Sequence, residues 1–395
     1  MSLRICLVSS AYRPYPSGVS EHVYNLACAL RELGHEVTIL TTRFPAFESP
    51  DKESAEPAEV YRLGRAILVP LNRSYATLPV GLKLTAQVAQ FFKRRQFDIV
   101  HCHGLFWPEL SYWALRYSRS TNLITFLTAG FKIHTAGSSL FRLLFRSEIG
   151  KIHGRIAISR RARAAIEPYL PGEYRIIPSG INLNRFRPDL PPLPEPVPAT
   201  PAPRMSRNKT ILFLSRLDKR KGLDVLIRAM PLILKAIPDA CLIVVGRGPM
   251  EGYCRELVKR LEIGAMVRFI GQVNQGEVPR YYCGADVFCS PALGGETQGV
   301  VLLEAMACGV PVVASRIPGY DETVRDRVDG ILFPAGDIAG LAHSLIQVLT
   351  DESLKVRLVS NGRKKVLNYA WPVIAQQTLN YYQELLARRK QSLGQ

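Results

Sequence analysis

The sequence predicts an α/β protein of two Rossmann-like domains, each a parallel sheet with helices on both faces. Three observations carry that prediction. Apolar, β-prone runs alternate with helical patterns through the first half of the chain. Eight prolines then crowd the stretch from Pro188 to Pro203, a composition that stiffens and extends a chain without building a core. Beyond it the strand–helix alternation begins again. The expected organisation is a first domain over 1–187, a Pro-rich linker over 188–208 and a second domain over 209–370. Two such domains leave a cleft facing the carboxyl ends of both sheets.

The elements follow in order. Arg4–Ser9 is apolar and reads as a buried first strand. Ser20–Leu33 places Val23, Leu26, Ala27 and Leu30 on one helical face, and Gly34 stops the helix. Further strands are expected at Glu36–Thr41, Asp98–Cys102, Asn122–Phe126, Gly154–Ile158 and Tyr174–Ile177, with helices near 82–95, 108–119, 139–150 and 160–168. The second half repeats the scheme. Its strands are expected at Thr210–Leu214, Cys241–Val245, Val267–Ile270, Val287–Cys289, Val310–Ala314 and Gly330–Phe333. Its helices are expected at 222–236, 249–262, 299–308 and 337–349, and a last helix at Trp371 to about Lys390.

Composition narrows the function classes. The 395 residues are 47% hydrophobic and 21% charged, which excludes a disordered or collagen-like chain. No apolar run approaches the roughly 20 residues of a membrane span. The start reads as a strand rather than an export signal. Eight cysteines show no CxxC spacing, the pattern of buried thiols in a reducing cytoplasm. Lys and Arg number 51 against 33 Asp and Glu, a net charge of +18. The surplus is densest from Lys132 to Arg163, where eight basic residues face one acid, Glu148. Such a surplus suits an anionic membrane, a nucleic acid or an acidic small substrate. No nucleic-acid module is recognisable and aromatics do not interleave with the basic run, so specific nucleic-acid binding is not expected.

Three strand-to-helix turns in the second half suit phosphate. Leu214-Ser-Arg-Leu-Asp-Lys-Arg-Lys-Gly222 places Arg216 and Lys221 where a diphosphate would lie: guanidinium grips it bidentately and Lys adds a point charge. Val244-Val-Gly-Arg-Gly-Pro249 brings Gly246 to a similar turn. Pro291 to Glu304 is a loop with Gly294, Gly295 and Gly299, opening a helix near Gly299 and Val300. Glycines let the backbone approach a ligand, and a helix N-terminus offers N–H groups and a positive dipole. Glu296 and Glu304 bracket that loop. Carboxylates repel phosphate, so these two suit neutral hydroxyls, a sugar on one side and a ribose on the other. Each turn alone also reads as an ordinary tight connection.

In the first half, Tyr12 to His22 carries Gly18 just before a helix and Glu21 in its first turn, where a Glu also serves the helix dipole. His101 and His103 share one face of a strand. No further ligand pairs with them, so a cleft-lining or packed pair is expected and not a metal site. Ser139 to Ser147 sets Phe141 and Leu144 beside Arg142 and Arg146, the pattern of a helix lying on an anionic membrane surface, or of a core helix with solvated arginines.

In this order the segments resemble the retaining nucleotide-sugar glycosyltransferases of family 4, which have the GT-B fold. The resemblance spans nearly the whole chain. It rests on Gly18 and its helix, Gly34-His-Glu-Val37, Asp98-Ile-Val-His101, Ile156-Ala-Ile-Ser159, Ile177-Pro-Ser-Gly-Ile-Asn182, Arg216 with Lys221, and Glu296 through Glu304 with the Ala-rich continuation to Ala314. Within the family it is most similar to the phosphatidylinositol mannosyltransferases, through Thr125-Phe-Leu-Thr-Ala129 and Lys151-Ile-His-Gly-Arg-Ile-Ala157. The resemblance implies sugar transfer from a nucleotide-diphospho-sugar, as co-substrate, with retention and no metal or other cofactor. The acceptor would be a membrane lipid or another cell-envelope glycan precursor, and the protein cytoplasmic or peripheral on the inner face of the plasma membrane.

The resemblance also implies residue roles. Arg216, Lys221 and Glu296 would be catalytic, the first two on the diphosphate and Glu296 on sugar hydroxyls. Glu304 would hold the ribose. Gly18 would lie beneath the phosphates, and Gly246, Gly295, Gly299 and Val300 would complete the donor site. Tyr12, His103, Leu127, Thr128 and His134 fall on the acceptor side. The stretch 371–395 would pack back on the first domain. Two positions depart from the family. Ser17 precedes Gly18 where a second glycine is usual. Leu127 stands where the family has its active-site His, and a Leu cannot take a proton. In this class of reaction the leaving phosphate can receive the acceptor proton. His134 is the other candidate replacement, and the alternative is a catalytically silent nucleotide-sugar-binding protein.

Overall fold

The computed structural model describes residues 2–45, 56–71, 74–104, 109–128, 146–191 and 209–393. The chain divides into two compact units, Met1–Gly180 with Trp371–Gln395, and Ile181–Ala370.

The first unit runs β1 (Arg4–Val8), α1 (Gly18–Glu32), β2 (Glu36–Arg43), β3 (Glu59–Leu71), β4 (Ser74–Val80), α2 (Leu84–Arg94), β5 (Ile99–His103), α3 (Leu110–Tyr117), β6 (Thr121–Phe126), α4 (Arg146–Ile149), β7 (Ile152–Ala157), α5 (Arg160–Ile166) and β8 (Arg175–Ile176), joined from the far end of the chain by α13 (Trp371–Leu393). Its sheet has the order β4-β3-β2-β1-β5-β6-β7-β8. Alternation along β1 sorts the core. Ile5 and Leu7 face the layer of α1 and α13, with Val23, Leu26, Trp371 and Tyr382. Cys6 and Val8 face the layer of α2, α3 and α5, with Val88, Leu115 and Ala162. Full burial of each large side chain in these layers contributes about 2 kcal/mol.

The second unit runs β9 (Lys209–Leu214), a 3₁₀ turn at Lys219–Lys221, α6 (Leu223–Ala236), β10 (Ala240–Val245), α7 (Glu251–Arg260), β11 (Val267–Gly271), α8 (Val278–Cys283), β12 (Val287–Ser290), α9 (Val300–Ala307), β13 (Val312–Arg316), α10 (Tyr320–Thr323), β14 (Ile331–Pro334), α11 (Ile338–Thr350) and α12 (Glu352–Val366). All six strands are parallel, in the order β11-β10-β9-β12-β13-β14. Strand order reverses beside β1 in the first sheet and beside β9 in the second. Loops leaving the carboxyl ends at such a reversal diverge and open a crevice.

The two parallel α/β sheets agree with the expected fold class. Three features differ from the expectation. The β3–β4 hairpin is antiparallel at the sheet edge and was not foreseen, because Arg62, Gly64 and Arg65 interrupt the apolar alternation of β3. α8, α10 and α12 were also not foreseen. α12 buries only Leu354, Leu358, Gly362 and Val366, too thin a stripe to stand out in sequence. The first unit ends at Gly180, not at 187. Ile181 N–H donates to the Tyr369 carbonyl at 2.8 Å, and Ile181 and Phe186 are buried in the core of the second unit. Of the expected linker, residues 192–208 lie outside the described residues.

Candidate active site

In the second unit three loops leave the carboxyl ends of β9, β10 and β12 and are tied by their backbones. Leu217 N–H donates to the Arg247 carbonyl at 2.9 Å, Met250 N–H to the Leu217 carbonyl at 2.9 Å, and Leu293 N–H to the Arg220 carbonyl at 2.7 Å. The approach is close enough to require glycine twice. Gly222 has φ 69°, and a Cβ there would lie 2.0 Å from the Pro291 carbonyl oxygen. Gly246 has φ 127°, and its Cβ would lie 2.0 Å from the Ser215 carbonyl oxygen.

The charges of these loops form one chain. Glu296 Oε1 accepts from Lys221 Nζ at 2.7 Å and from Arg220 Nη1 at 2.8 Å. Arg220 Nε lies 3.4 Å from Asp218 Oδ1, and Arg216 Nη2 donates to Asp218 Oδ2 at 2.9 Å. Glu296 and Lys221 are only 11% and 13% exposed, so their interaction is less screened than that of a surface pair. Three cations against two carboxylates leave a positive site. Arg220, which sequence reasoning passed over, touches Glu296 directly; Arg216 reaches the cluster through Asp218. The only sequence signal for Arg220 was its place beside Lys221.

Gly295 and Gly299 both take positive φ and shape the loop before α9. Gly299, the N-cap of α9, has no side chain to accept the N–H groups of the first turn, which begins at Val300. The Tyr320 ring lies under Gly299, and the Tyr320 hydroxyl is 2.7 Å from Ser290 Oγ. Thr323 Oγ1 donates to the carbonyl of Gln298 and at 3.3 Å to that of Gly319. Glu304, on the second turn of α9, accepts at Oε2 from the buried Tyr282 hydroxyl at 2.9 Å. Arg216, Lys221, Gly246, Gly295, Glu296, Gly299, Val300 and Glu304 thus fall on three adjoining loops and α9. Such a site can hold a polyanion between cations and helix N–H groups, with carboxylates placed for hydroxyls.

In the first unit Gly18 opens α1, and a Cβ there would meet nothing within 4 Å. The Ser17 hydroxyl caps α1 by accepting the Ser20 N–H at 3.1 Å. Glu21 pairs with Arg13 at 2.9 Å, whose guanidinium stacks 3.3 Å over the Tyr24 ring. Tyr12 is fully buried and donates to Glu56 Oε2 at 2.9 Å, so it belongs to the core. His103 is also buried: Nδ1–H donates to the Val8 carbonyl at 3.3 Å, and Nε2 has no partner among the described residues. Its ring stacks 4.3 Å from His101. His101 bonds the Tyr382 hydroxyl and Thr125 Oγ1, each at 2.6 Å, and His22 Nδ1 bonds Ser179 Oγ at 2.9 Å. Burial holds all three imidazoles below their ordinary pKa, His103 at about 4. Leu127 is partly buried against the core and Thr128 is exposed. His134, Phe141, Arg142 and Leu144 lie outside the described residues. Of the expected 139–150 helix, the described part is α4, which begins with the exposed Arg146.

Among the described residues no group of three or more His, Cys, Asp or Glu side chains could hold a metal ion. No helix among them is long and apolar enough to cross a membrane.

The family model for glycosyltransferase family 4 matches residues 16–185, and that for glycosyl transferases group 1 matches residues 202–365. The phosphatidyl-myo-inositol mannosyltransferase of Mycobacterium leprae is 37% identical over 389 residues, covering 96% of each chain. The chain belongs to glycosyltransferase family 4. This glycosyltransferase is also 35% identical to the phosphatidyl-myo-inositol mannosyltransferase of Mycolicibacterium smegmatis, over 96% of this chain and 94% of that one. Solved structures agree on the GT-B fold. A glycosyltransferase from Rickettsia africae gives a TM-score of 0.76 at 20% identity, covering 98% and 99% of the two chains. Anabaena HepE in complex with UDP gives 0.73 at 18%, covering 97% and 100%.

Proposed function

We propose that this glycosyltransferase moves a mannosyl residue from a nucleotide-diphospho-sugar to the inositol headgroup of phosphatidylinositol, keeping the anomeric configuration. The observation that carries the reading is the 37% identity to a phosphatidyl-myo-inositol mannosyltransferase across 96% of both chains. The site geometry is compatible with it. Lys221, Arg220 and Arg216 would offset the charge that grows on the leaving diphosphate, aided by the first-turn N–H groups of α9. Glu304 would take the ribose hydroxyls. Glu296 would take hydroxyls of the sugar, while the diphosphate competes for the two cations that Glu296 now holds. The bond from the anomeric carbon to phosphate breaks, the bond to the acceptor oxygen forms on the same face, and the acceptor proton passes to the leaving phosphate oxygen. That route needs no base at Leu127 and no metal. The basic stretch around 132–163 would seat the enzyme on an anionic membrane holding the acceptor.

The test is purified protein with GDP-mannose, UDP-glucose and related donors, presented with vesicles containing phosphatidylinositol. Mass spectrometry should detect a mannosylated lipid, and NMR should show the anomeric configuration of the donor. Donor binding without transfer or hydrolysis across a broad acceptor panel would instead establish a silent nucleotide-sugar-binding protein.

A further inference from the structure

Tyr282 lies in the core of the second unit, yet its one polar atom points at the donor-side carboxylate. Its side chain is fully buried on α8. The ring packs edge-on against Phe288, with centroids 5.2 Å apart, and against Phe186 at 6.2 Å. The hydroxyl reaches Glu304 Oε2 at 2.9 Å and the Val301 carbonyl at 3.3 Å. Burial and the neighbouring carboxylate hold the phenol well above its ordinary pKa, so the proton stays on oxygen and Tyr282 donates.

We infer that Tyr282 is a positioning residue for the donor nucleotide, fixing the Glu304 carboxylate in the orientation that accepts the ribose 2′- and 3′-hydroxyls. The inference rests on the donor reading above. Glu304 is only partly buried, and a Glu side chain loses rotamer freedom when it is held in one place. A charge-assisted bond from a rigid aromatic ring imposes that loss before the nucleotide arrives, so ribose binding does not bear it. A carboxylate oxygen has two lone pairs, so the Tyr282 bond leaves Oε2 able to accept a hydroxyl as well. The aromatic packing of Tyr282 needs no hydroxyl. Phenylalanine would preserve the core and release only the carboxylate.

The experiment measures Kd by calorimetry for GDP and UDP, each against its 2′,3′-dideoxy form, in wild type, Tyr282→Phe, Glu304→Ala and the double variant. In wild type the ribose form should bind more tightly. Tyr282→Phe should cut that preference about tenfold, leave the dideoxy Kd unchanged and raise the donor KM with little change in kcat. On the Glu304→Ala background Tyr282→Phe should have no effect. That comparison removes both halves of the pair, and it decides the matter even if the single variant is poorly folded. An unchanged ribose preference in Tyr282→Phe would overturn the inference. So would equal weakening of both nucleotide forms, or a double variant weaker than Glu304→Ala. Wild-type protein with no ribose preference would overturn it together with the ribose role of Glu304. A ribose preference without mannosyl transfer counts against the proposed function alone, and the Tyr282 comparison still decides this inference.

Discussion

Lys221 Nζ lies 2.7 Å from Glu296 Oε1, although 75 residues separate the two in the chain. The contact joins the loop after β9 to the loop after β12, and Arg220 makes it three-membered at 2.8 Å from the same oxygen. Partly buried ion pairs are weak evidence for stability, because desolvation offsets their attraction. Their concentration here fits a site that exchanges partners with a charged ligand.

Lys221→Ala and Glu296→Ala should each lower kcat/KM for sugar transfer by about 100-fold or more, the scale seen when one preorganised electrostatic partner is removed. Circular dichroism should be unchanged in both, since Lys221→Ala leaves Glu296 with Arg220 and Glu296→Ala leaves Arg220 with Asp218. Arg220→Ala should raise the donor KM more than Arg216→Ala does, because Arg220 bonds Glu296 directly whereas Arg216 bonds Asp218. Steady-state kinetics with varied donor checks the order. Near wild-type turnover in Lys221→Ala would remove that residue from the site.

The two glycines Gly246 and Gly18 should behave oppositely. Gly246→Ala drives a Cβ to 2.0 Å from the Ser215 carbonyl oxygen at φ 127°, so it should destabilise the fold by at least about 2 kcal/mol in urea unfolding. Gly18→Ala meets open space in the first unit and should leave the urea midpoint within error. If phosphates lie over Gly18, the same variant should still weaken nucleotide-sugar binding by calorimetry. Unchanged affinity would place the phosphates elsewhere.

Acid should loosen the first unit through its buried histidines. Burial keeps His22, His101 and His103 neutral in the fold, whereas the unfolded chain protonates them below about pH 6.5. The unfolded state then binds more protons, so this stability is complete above pH 6.5 and is lost as pH falls toward the folded values. With its folded pKa at about 4, His103 alone should cost roughly 2 kcal/mol between pH 7 and pH 5. Thermal melts should show a smaller drop over that range in His103→Leu than in wild type. Parallel melting curves would show that His103 does not carry the effect.

If the stretch around 139–147 seats the enzyme on a membrane, Phe141→Ser/Leu144→Ser should cosediment less with anionic liposomes than wild type, and high salt should weaken binding of both. Equal cosedimentation would assign those apolar residues to the interior.

The parallel sheets and most of their strands were legible, because buried strands flanked by helices write near-continuous apolar runs such as Ile5–Val8 and Leu242–Val245 into the chain. The glycines of the candidate-site loops were legible too, since a tight turn that meets a second backbone accepts only glycine at Gly222 and Gly246, and charged residues beside such turns stand out. The β3–β4 hairpin escaped because Arg62, Gly64 and Arg65 break the apolar alternation that would mark β3 as a strand.

The sequence by itself determined the fold class and drew attention to the strand-to-helix turns that carry Lys221, Glu296 and Glu304. Only the tertiary structure decided their partners. Tyr282 lies on α8, which the sequence pattern does not announce, and its hydroxyl lies 2.9 Å from Glu304. His101 reads as a cleft-lining or packed residue, yet it bonds Tyr382 across 281 residues. Arg220, which the sequence reading passed over, contacts Glu296. Local patterns report burial and backbone conformation, which depend on a few neighbouring residues. Hydrogen bonds and ion pairs between side chains depend on which loops the folded sheets bring side by side, and no local pattern carries that information.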